Sequence, residues 1–220
     1  MSQTVQTVSI VDAVYNAIRD RILSGELDPS EVLVEQKTAE FYGVARPTAK
    51  AAIDRLVHQG LLRRTANKSA RVPALTMEDV SDIYFARTAI ESTVVGLLAE
   101  CRSPLAAADA ALAQFDRAAE AGATQGVVDA DIAFHQALVD AVGSPRIRRI
   151  YASIIGEAHL CMVLKQTHQL HSSEELAKEH RAIYEAILIG DAALARERLT
   201  AHLDSSADAI RRHIAEAAER

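Results

Sequence analysis

The sequence predicts a mainly α protein, in which a small N-terminal domain with a helix-turn-helix pattern and a short β-hairpin precedes an antiparallel all-α helical bundle. Apolar residues recur at helical spacing through most of the chain, and no strand pattern follows residue 75. The composition agrees, because aromatic residues make up 4% of the chain and strong helix formers dominate it. The segment Pro73–Thr76 is the predicted boundary between a domain of residues 1–74 and a domain of residues 75–220.

The stretch from Gly43 to Leu62 predicts a helix with one buried face and one exposed face. Its buried residues recur at helical spacing and are Ala49, Ala52, Ile53 and Leu56. Arg46, Thr48 and Lys50 lie away from this stripe, near the start of the helix. A short helix with cationic and hydrogen-bonding residues at its start fits the major groove of double-stranded DNA. We therefore expect these three side chains to contact DNA.

The charge distribution supports this interpretation, although the whole chain has a formal net charge of -6. Residues 1–74 carry ten Lys or Arg against eight Asp or Glu, whereas the rest of the chain is acidic. Between Arg46 and Arg71, seven basic residues accompany one acidic residue, Asp54. A local basic patch on an acidic protein is typical of a nucleic-acid interface.

The N-terminal domain is predicted to contain two further helices and a hairpin. A capping box at Ser9 begins a helix that ends near Leu23, and a second helix covers Glu35–Tyr42. Residues 61–64 and 70–73 form the hairpin, with its tip at residues 65–69. Lys68 at the tip can either contact DNA or remain an ordinary exposed loop lysine, and we include it among the DNA contacts.

The C-terminal domain is predicted to contain six amphipathic helices joined by short connections. Capping residues, Gly and Pro set their limits. They run from Thr76 to about Glu100, from Ser103-Pro104 to about Gly122, from Val127 to Val142, from Pro145 toward His171, from Ser172 to Gly190, and from Asp191 onward.

Four residues of the bundle form a candidate metal-ligand set. Asp131 and His135 are four residues apart, so they project from one face of a helix. His180 and His202 lie on two helices joined at Gly190, each roughly 15 to 18 Å from that turn, so they are level with each other. One carboxylate and three imidazoles converging in a bundle core suit zinc, nickel, manganese or iron.

The motif Gly43-Val44-Ala45-Arg46-Pro47-Thr48-Ala49-Lys50 resembles the helix-turn-helix of the GntR family of bacterial transcription regulators. Residues 22–29 and 33–42 resemble the opening segment and the scaffold helix of that family. The resemblance implies a winged helix-turn-helix that binds DNA. Ser30 stands where the family usually has Gly, Ala45 replaces a capping Ser or Thr, and Lys50 replaces a frequent Arg. A missing cap typically costs about 1 kcal/mol, and Lys lacks the bidentate fork of Arg.

Residues 75–220 resemble the FCD effector-binding and dimerisation domain of the FadR subfamily. The pattern Asp-x-x-x-His, then His, then His twenty-two residues later, resembles the motif of metal-binding FCD domains. This resemblance implies a divalent metal held by Asp131, His135, His180 and His202, with zinc as the first choice.

Arg87 lies on the apolar stripe of the first bundle helix, where an unpaired guanidinium is costly. Glu91, one turn further on, is the simple structural partner. The alternative is a carboxylate ligand, because Arg87 resembles the FCD arginine that helps to hold the acid group of the effector. Both interpretations remain open at this point.

We therefore expect a ligand-responsive DNA-binding transcriptional regulator, a repressor that binds a palindromic operator as a homodimer and responds to a small organic acid. The competing hypotheses are a metal-dependent hydrolase, which would use the same four ligands, and a direct metal sensor. No general base is evident beyond the ligands, and a hydrolase leaves the basic N-terminal domain unexplained. We therefore expect no enzymatic activity.

The remaining sequence features predict an ordinary cytoplasmic protein without membrane contact. No apolar run is long enough to span a bilayer, and the first residues lack a basic start followed by an apolar core. Cys101 and Cys161 have no metal or redox spacing and are expected to be buried free thiols. The other histidines share no pattern and are assigned to the surface or the core: His58, His159, His168, His171 and His213.

Overall fold

The computed structural model describes residues 9–29, 31–64, 69–102 and 105–219. The chain divides into two compact units, Met1–Ala74 and Leu75–Arg220. The predicted fold class is confirmed, since a small helical domain with a short sheet precedes an all-α domain.

Three helices form the frame of the first unit: α1 (Ile10–Leu23), α2 (Glu35–Tyr42) and α3 (Arg46–His58). The Ser9 hydroxyl caps α1 by accepting a hydrogen bond from the backbone N–H of Asp12. Gly43 ends α2 with a left-handed φ of 63°, a conformation that glycine adopts without steric cost, and so allows the turn into α3. The predicted apolar stripe of α3 is fully buried, and α3 packs against α1 and α2.

The sheet differs in part from the predicted hairpin. Strand β1 (Val32–Leu33) pairs antiparallel with β2 (Ala70–Arg71), while Arg63 contributes one isolated bridge to Arg71. A strand of two residues is too short to show an alternating pattern, and for this reason β1 was not predicted. Its buried residue is Leu33, which faces the core of the unit. The predicted contact residue Lys68 and the departure at Ser30 lie outside the described residues.

The second unit contains seven helices within its described residues, one more than predicted. They are α4 (Met77–Cys101), α5 (Ala106–Glu120), α6 (Thr124–Ala141), α7 (Pro145–Ala152), α8 (Ile155–Thr167), α9 (Ser173–Ile189) and α10 (Ala192–Ala218). Thr76 and Asp79 form the capping box that begins α4, and Asp191 caps α10. The longest helices, α4 and α10, pack along each other, and α6, α8 and α9 pack around them.

The additional helix arises because the predicted long helix after Pro145 breaks at Ser153. The Ser153 hydroxyl donates a 2.6 Å hydrogen bond to the carbonyl of Ile150. The backbone N–H of Ser153 also bonds to Ile150, and that of Ile154 bonds to Tyr151, which are tight i to i−3 contacts. A serine hydroxyl that competes for a backbone carbonyl weakens a helix locally, and these bonds separate α7 from α8.

One expectation about the cysteines is wrong. Cys161 is a buried free thiol, as expected, but Cys101 is exposed. Cys101 is the last residue of α4, where the helix leaves the bundle core. Among the described residues, no helix combines the length and the apolar character that crossing a membrane requires.

The start of α3 lacks a side-chain cap, which generates a stability prediction. Ala45 has the extended backbone of an N-cap residue, φ -68° and ψ 144°, and makes no side-chain hydrogen bond to the helix. Because Pro47 has no backbone N–H, a serine at position 45 would accept from Thr48. We expect Ala45→Ser to stabilise α3 by about 1 kcal/mol. Hydrogen exchange of peptides that cover α3 measures this gain.

The matched control is Ala51→Ser, at an exposed position inside the same helix. Serine has a lower helix propensity than alanine there, so this change should slightly increase exchange. Equal protection in the two variants would contradict the capping interpretation.

Candidate metal centre and nucleic-acid interface

Three helices bring the four predicted ligands together in the core of the bundle. Asp131 and His135 come from α6, His180 from α9 and His202 from α10. All four are buried, and one possible ligand atom from each lies within 4.8 Å of the others. The imidazole rings of His180 and His202 have centroids 4.6 Å apart. Residues distant in sequence thus form one compact donor set.

Each imidazole of this donor set is held by a hydrogen bond at its Nδ1 atom. For His135 the acceptor is a carboxylate oxygen of Glu91 at 2.6 Å, and for His180 it is the backbone carbonyl of Leu176 at 2.7 Å. For His202 the acceptor is a carboxylate oxygen of Glu179 at 2.7 Å. A carbonyl or a carboxylate can only accept, so Nδ1 carries a proton, and in the neutral ring Nε2 keeps its lone pair.

The unprotonated Nε2 atoms face one another and Asp131. Nε2 of His135 and Nε2 of His180 are 3.3 Å apart, and Oδ1 of Asp131 lies 3.4 Å from each. Neither carboxylate oxygen of Asp131 has a hydrogen-bond partner. Lone pairs in such proximity repel unless a cation lies among them. The donor set therefore fits a divalent ion, and the Nδ1 acceptors orient it as ligand-supporting residues commonly do.

The pKa values follow from burial and these contacts. Burial lowers the pKa of His180, and it lowers the pKa of His202 well below the ordinary value, so both imidazoles are neutral at pH 7. Burial opposes the charged form of His135 as well, but the Glu91 carboxylate raises the pKa of His135. Burial would raise the pKa of Asp131, yet Lys165 and His180 hold the pKa of its carboxyl well below the usual range. Asp131 is therefore an anion.

Arg87 and Glu91 form a buried ion pair behind His135. Nε of Arg87 donates to Oε1 of Glu91 at 2.8 Å, and the Tyr151 hydroxyl donates to the same oxygen at 2.8 Å. Burial disfavours the Glu91 anion, but Arg87 and His135 lower the pKa of Glu91 to about 2. Glu91 is thus the structural partner of Arg87. However, Nη2 of Arg87 and the nearby Tyr84 hydroxyl are buried without a hydrogen-bond partner.

Lys165 is a further charged residue at the site, which the sequence reasoning missed. It is 1% exposed, its Nζ atom donates to Ser206 Oγ at 3.1 Å, and it lies 3.7 Å from Oδ2 of Asp131. A signal for it was present in the sequence. Lys165 shares a helical face with Ala158, Cys161 and Met162, which are all buried.

The remaining histidines of the bundle lie outside the cluster. The rings of His168 and His213 are tilted by 33° with centroids 4.0 Å apart, and Nε2 of His171 is 3.1 Å from Ser205 Oγ. Within the described ranges, the Asp131 and three-histidine cluster is the one group of potential metal ligands that meets in space.

The N-terminal unit presents Arg46 and Lys50 on the exposed face of α3, with Thr48 partly exposed beside them. Arg46 pairs with Glu35 at 3.1 Å, and its side chain keeps 66% of its surface exposed. Lys50 pairs with Asp54, one turn further on, at 3.2 Å. Exposed pairs of this kind contribute about 0 to 1 kcal/mol to stability. A DNA phosphate or base can therefore replace the acidic partner, Glu35 or Asp54, at little cost.

More of the basic patch is paired with acidic side chains than the sequence count indicated. Arg55 pairs with Asp12 at 2.6 Å, and Arg64 pairs with Asp54 at 2.9 Å. Asp12 and Glu35 come from other segments of the unit, so the linear count could not include them. Arg46 and Lys50, near the start of α3, are also paired, but each keeps more than half of its side chain exposed, 66% and 55%.

Two family profiles match the chain. The profile of the gntR family of bacterial regulatory proteins matches residues 10–72, and the FCD domain profile matches residues 82–205. The HTH-type transcriptional regulator YdhC of Bacillus subtilis (strain 168) is 24% identical over 208 residues, which cover 93% of this chain and 92% of YdhC.

Solved structures agree with the profiles. A GntR transcriptional regulator from Rhodococcus sp. RHA1 superposes with a TM-score of 0.79 at 27% identity, over 92% of this chain and 98% of that chain. E. coli McbR/YncC has a TM-score of 0.76 at 19% identity, over 94% and 99% of the two chains, and it supports the fold alone. With the two profiles covering both units, the chain belongs to the GntR family and is a DNA-binding transcriptional regulator with an FCD domain.

Proposed function

We propose that this regulator is a homodimeric repressor, which binds a palindromic operator through α3 and whose bundle binds a divalent metal and a small organic acid. The observation that carries the metal and acid proposal is the set of inward-facing Nε2 lone pairs beside the Asp131 carboxylate, which has no hydrogen-bond partner. The match of residues 10–72 to the gntR family supports the DNA-binding part of the proposal.

The side chains in the first turns of α3 are suited to different groups of the DNA. The Arg46 guanidinium can form a bidentate pair with a guanine edge, and the Lys50 ammonium is suited to a phosphate. Thr48, next to them, can donate to either. Since a single α3 spans only a few base pairs, specific binding requires two copies on two half-sites.

The metal proposal rests on donor chemistry. Asp131 contributes one negative charge and the three imidazoles contribute none, so a divalent ion keeps about one positive charge beyond its ligands. Zinc is the first candidate, and nickel, manganese and iron also accept this donor set. A bound ion would supply a Lewis acid for the carboxylate of an effector. The buried Nη2 of Arg87 is a free donor for an acid group, which supports an acid effector over a pure metal sensor.

The hydrolase hypothesis finds no support in the contacts of the site. Glu91 and Glu179, the carboxylates nearest the imidazoles, both serve as Nδ1 acceptors. In these roles they orient ligands and are not available to activate water. In the repressor hypothesis, acid binding changes the balance of bundle conformations and thereby operator affinity.

Arg46→Ala and Lys50→Ala should affect DNA binding differently. Loss of base contacts by Arg46→Ala should cost about 1 to 3 kcal/mol on the selected operator and reduce its preference over random DNA. Lys50→Ala should weaken binding to both duplexes and reduce the salt dependence. Fluorescence anisotropy with an operator selected from random duplexes measures both effects. Lys178→Ala, which changes an exposed lysine of α9, is the control, and an absence of sequence preference in the wild type would overturn DNA reading by α3.

His180→Ala should abolish stoichiometric metal binding, because it removes one of four ligands. Glu91→Gln should weaken metal affinity roughly 10- to 100-fold, since it alters the acceptor that orients His135. Competition with a chromophoric chelator, together with elemental analysis, gives both values. His213→Ala removes a histidine outside the cluster and should keep full metal content. If His180→Ala retained wild-type affinity, the four residues would not be the site.

The dimer proposal has its own test. Analytical ultracentrifugation of the wild-type protein at micromolar concentration should show a dimer, and titration should give two chains per palindromic duplex. A monomer that binds one per operator would eliminate the two-half-site mechanism.

A further inference from the structure

The buried charges of the bundle balance one another before any metal is considered. Among the described residues, the buried Arg, Lys, Asp and Glu side chains are Arg87, Glu91, Asp131 and Lys165, each 1% exposed. Their formal charges are two positive and two negative, so the formal sum is zero. Glu179, which holds His202, keeps 34% of its side chain exposed, and solvent therefore screens its charge.

A divalent ion at the histidine cluster would change this balance. Added to the zero formal sum of the four buried residues, its charge would leave two positive charges in a region from which water is excluded. Phe134 and Phe115 lie against the His180 ring there. An uncompensated interior charge is costly, so the site would require anionic charge from the ligand. The size of the excess indicates a ligand that supplies two negative charges.

Two cations are arranged to receive these charges at separate positions. Lys165 lies at Oδ2 of Asp131, on the other carboxylate oxygen from the one that faces the imidazoles. Arg87 lies on the other side of Glu91, which holds His135. Asp131 and His135 are four residues apart on α6, about 6 Å along the helix axis, so the two cations accompany different turns.

Both cations keep donors for a ligand. Within the described residues Lys165 donates to Ser206 and pairs with Asp131 at 3.7 Å, whereas an ammonium has three donors. Arg87 uses Nε on Glu91, and its Nη2 has no partner. The Tyr84 hydroxyl, whose ring lies below the Arg87 guanidinium, is also buried without a partner. A ligand with one acid group would accept hydrogen bonds either from Lys165 or from Arg87 and Tyr84, but not from both sets.

From these two separate sets of donors, together with the balance of formal charges, we infer that the effector is a short dicarboxylate and that Lys165 is its second cationic anchor besides Arg87. The inference rests on the proposed metal and acid site and specifies the ligand class of that site. One carboxylate binds beside Asp131 and Lys165, and the other reaches Arg87 and Tyr84. With both bound, the interior charge returns to zero.

The test compares succinate with monomethyl succinate, which has nearly the same shape and one charge less. Isothermal calorimetry on the metal-loaded, full-length protein should show roughly 10- to 100-fold tighter binding of succinate, as expected for one buried charged hydrogen bond. Inorganic phosphate, whose charge is concentrated in one group, should bind no more tightly than the monoester. Phosphate as tight as succinate, or a monoester as tight as succinate, would overturn the dicarboxylate inference.

Lys165→Met tests the anchor, because methionine keeps the length of the side chain and removes its charge. The preference for succinate over the monoester should fall to near unity in this variant, whereas its metal content stays stoichiometric. Lys178→Met, at an exposed position that pairs with Glu174, should keep the wild-type preference. A wild-type preference in Lys165→Met would overturn its role as an anchor. The wild-type comparison of the two ligands stands even if this variant does not fold.

The outcomes separate this inference from the proposed function. A wild-type protein that holds metal and binds both acids equally contradicts the dicarboxylate and leaves the metal-dependent acid response intact. A wild-type protein that holds no metal under saturating supply overturns both.

Discussion

The orientation of three buried imidazoles through their Nδ1 atoms is the constraint on which the centre of the bundle depends. Glu91, the Leu176 carbonyl and Glu179 each accept one of these protons. With the tautomers set in this way, the Nε2 atoms of the neutral rings and the Asp131 carboxylate are all acceptors. The helices α6, α9 and α10 therefore meet around a site that favours a cation, and the core of the domain is specified by polar contacts as well as by apolar packing.

Charged groups serve opposite purposes in the two units. In the bundle the ion pair of Arg87 and Glu91 is fully buried, so its partners cannot exchange with solvent, and it fixes His135. On α3 the pairs of Arg46 and Lys50 are exposed, and such pairs contribute little to stability. Exposed partners can be replaced by DNA at small cost, whereas buried partners can be replaced only by groups that bring equal charge.

The sequence contained the position of the donor set but not its surroundings. Helical spacing placed Asp131 and His135 on one face, and equal distance from Gly190 placed His180 level with His202. The buried helical face of Lys165 is visible in the sequence. The contacts of Lys165 with Asp131, of Glu91 with His135 and of Glu179 with His202 were not predictable in this way, because each joins different helices whose rotation is set by packing. The break at Ser153 and the two-residue strand β1 depend on single hydrogen bonds or short pairings, which periodicity cannot detect.

Anomalous diffraction from crystals of the zinc-loaded protein, recorded on both sides of the zinc edge, is the direct test of whether the three Nε2 atoms and Asp131 bind the metal. It should show one strong peak in the bundle, bonded to Nε2 of His135, His180 and His202 and to Oδ1 of Asp131, with the three Nδ1 contacts retained. A peak bonded to Nδ1 of any of these rings, or a peak at another place in the bundle, would contradict the account.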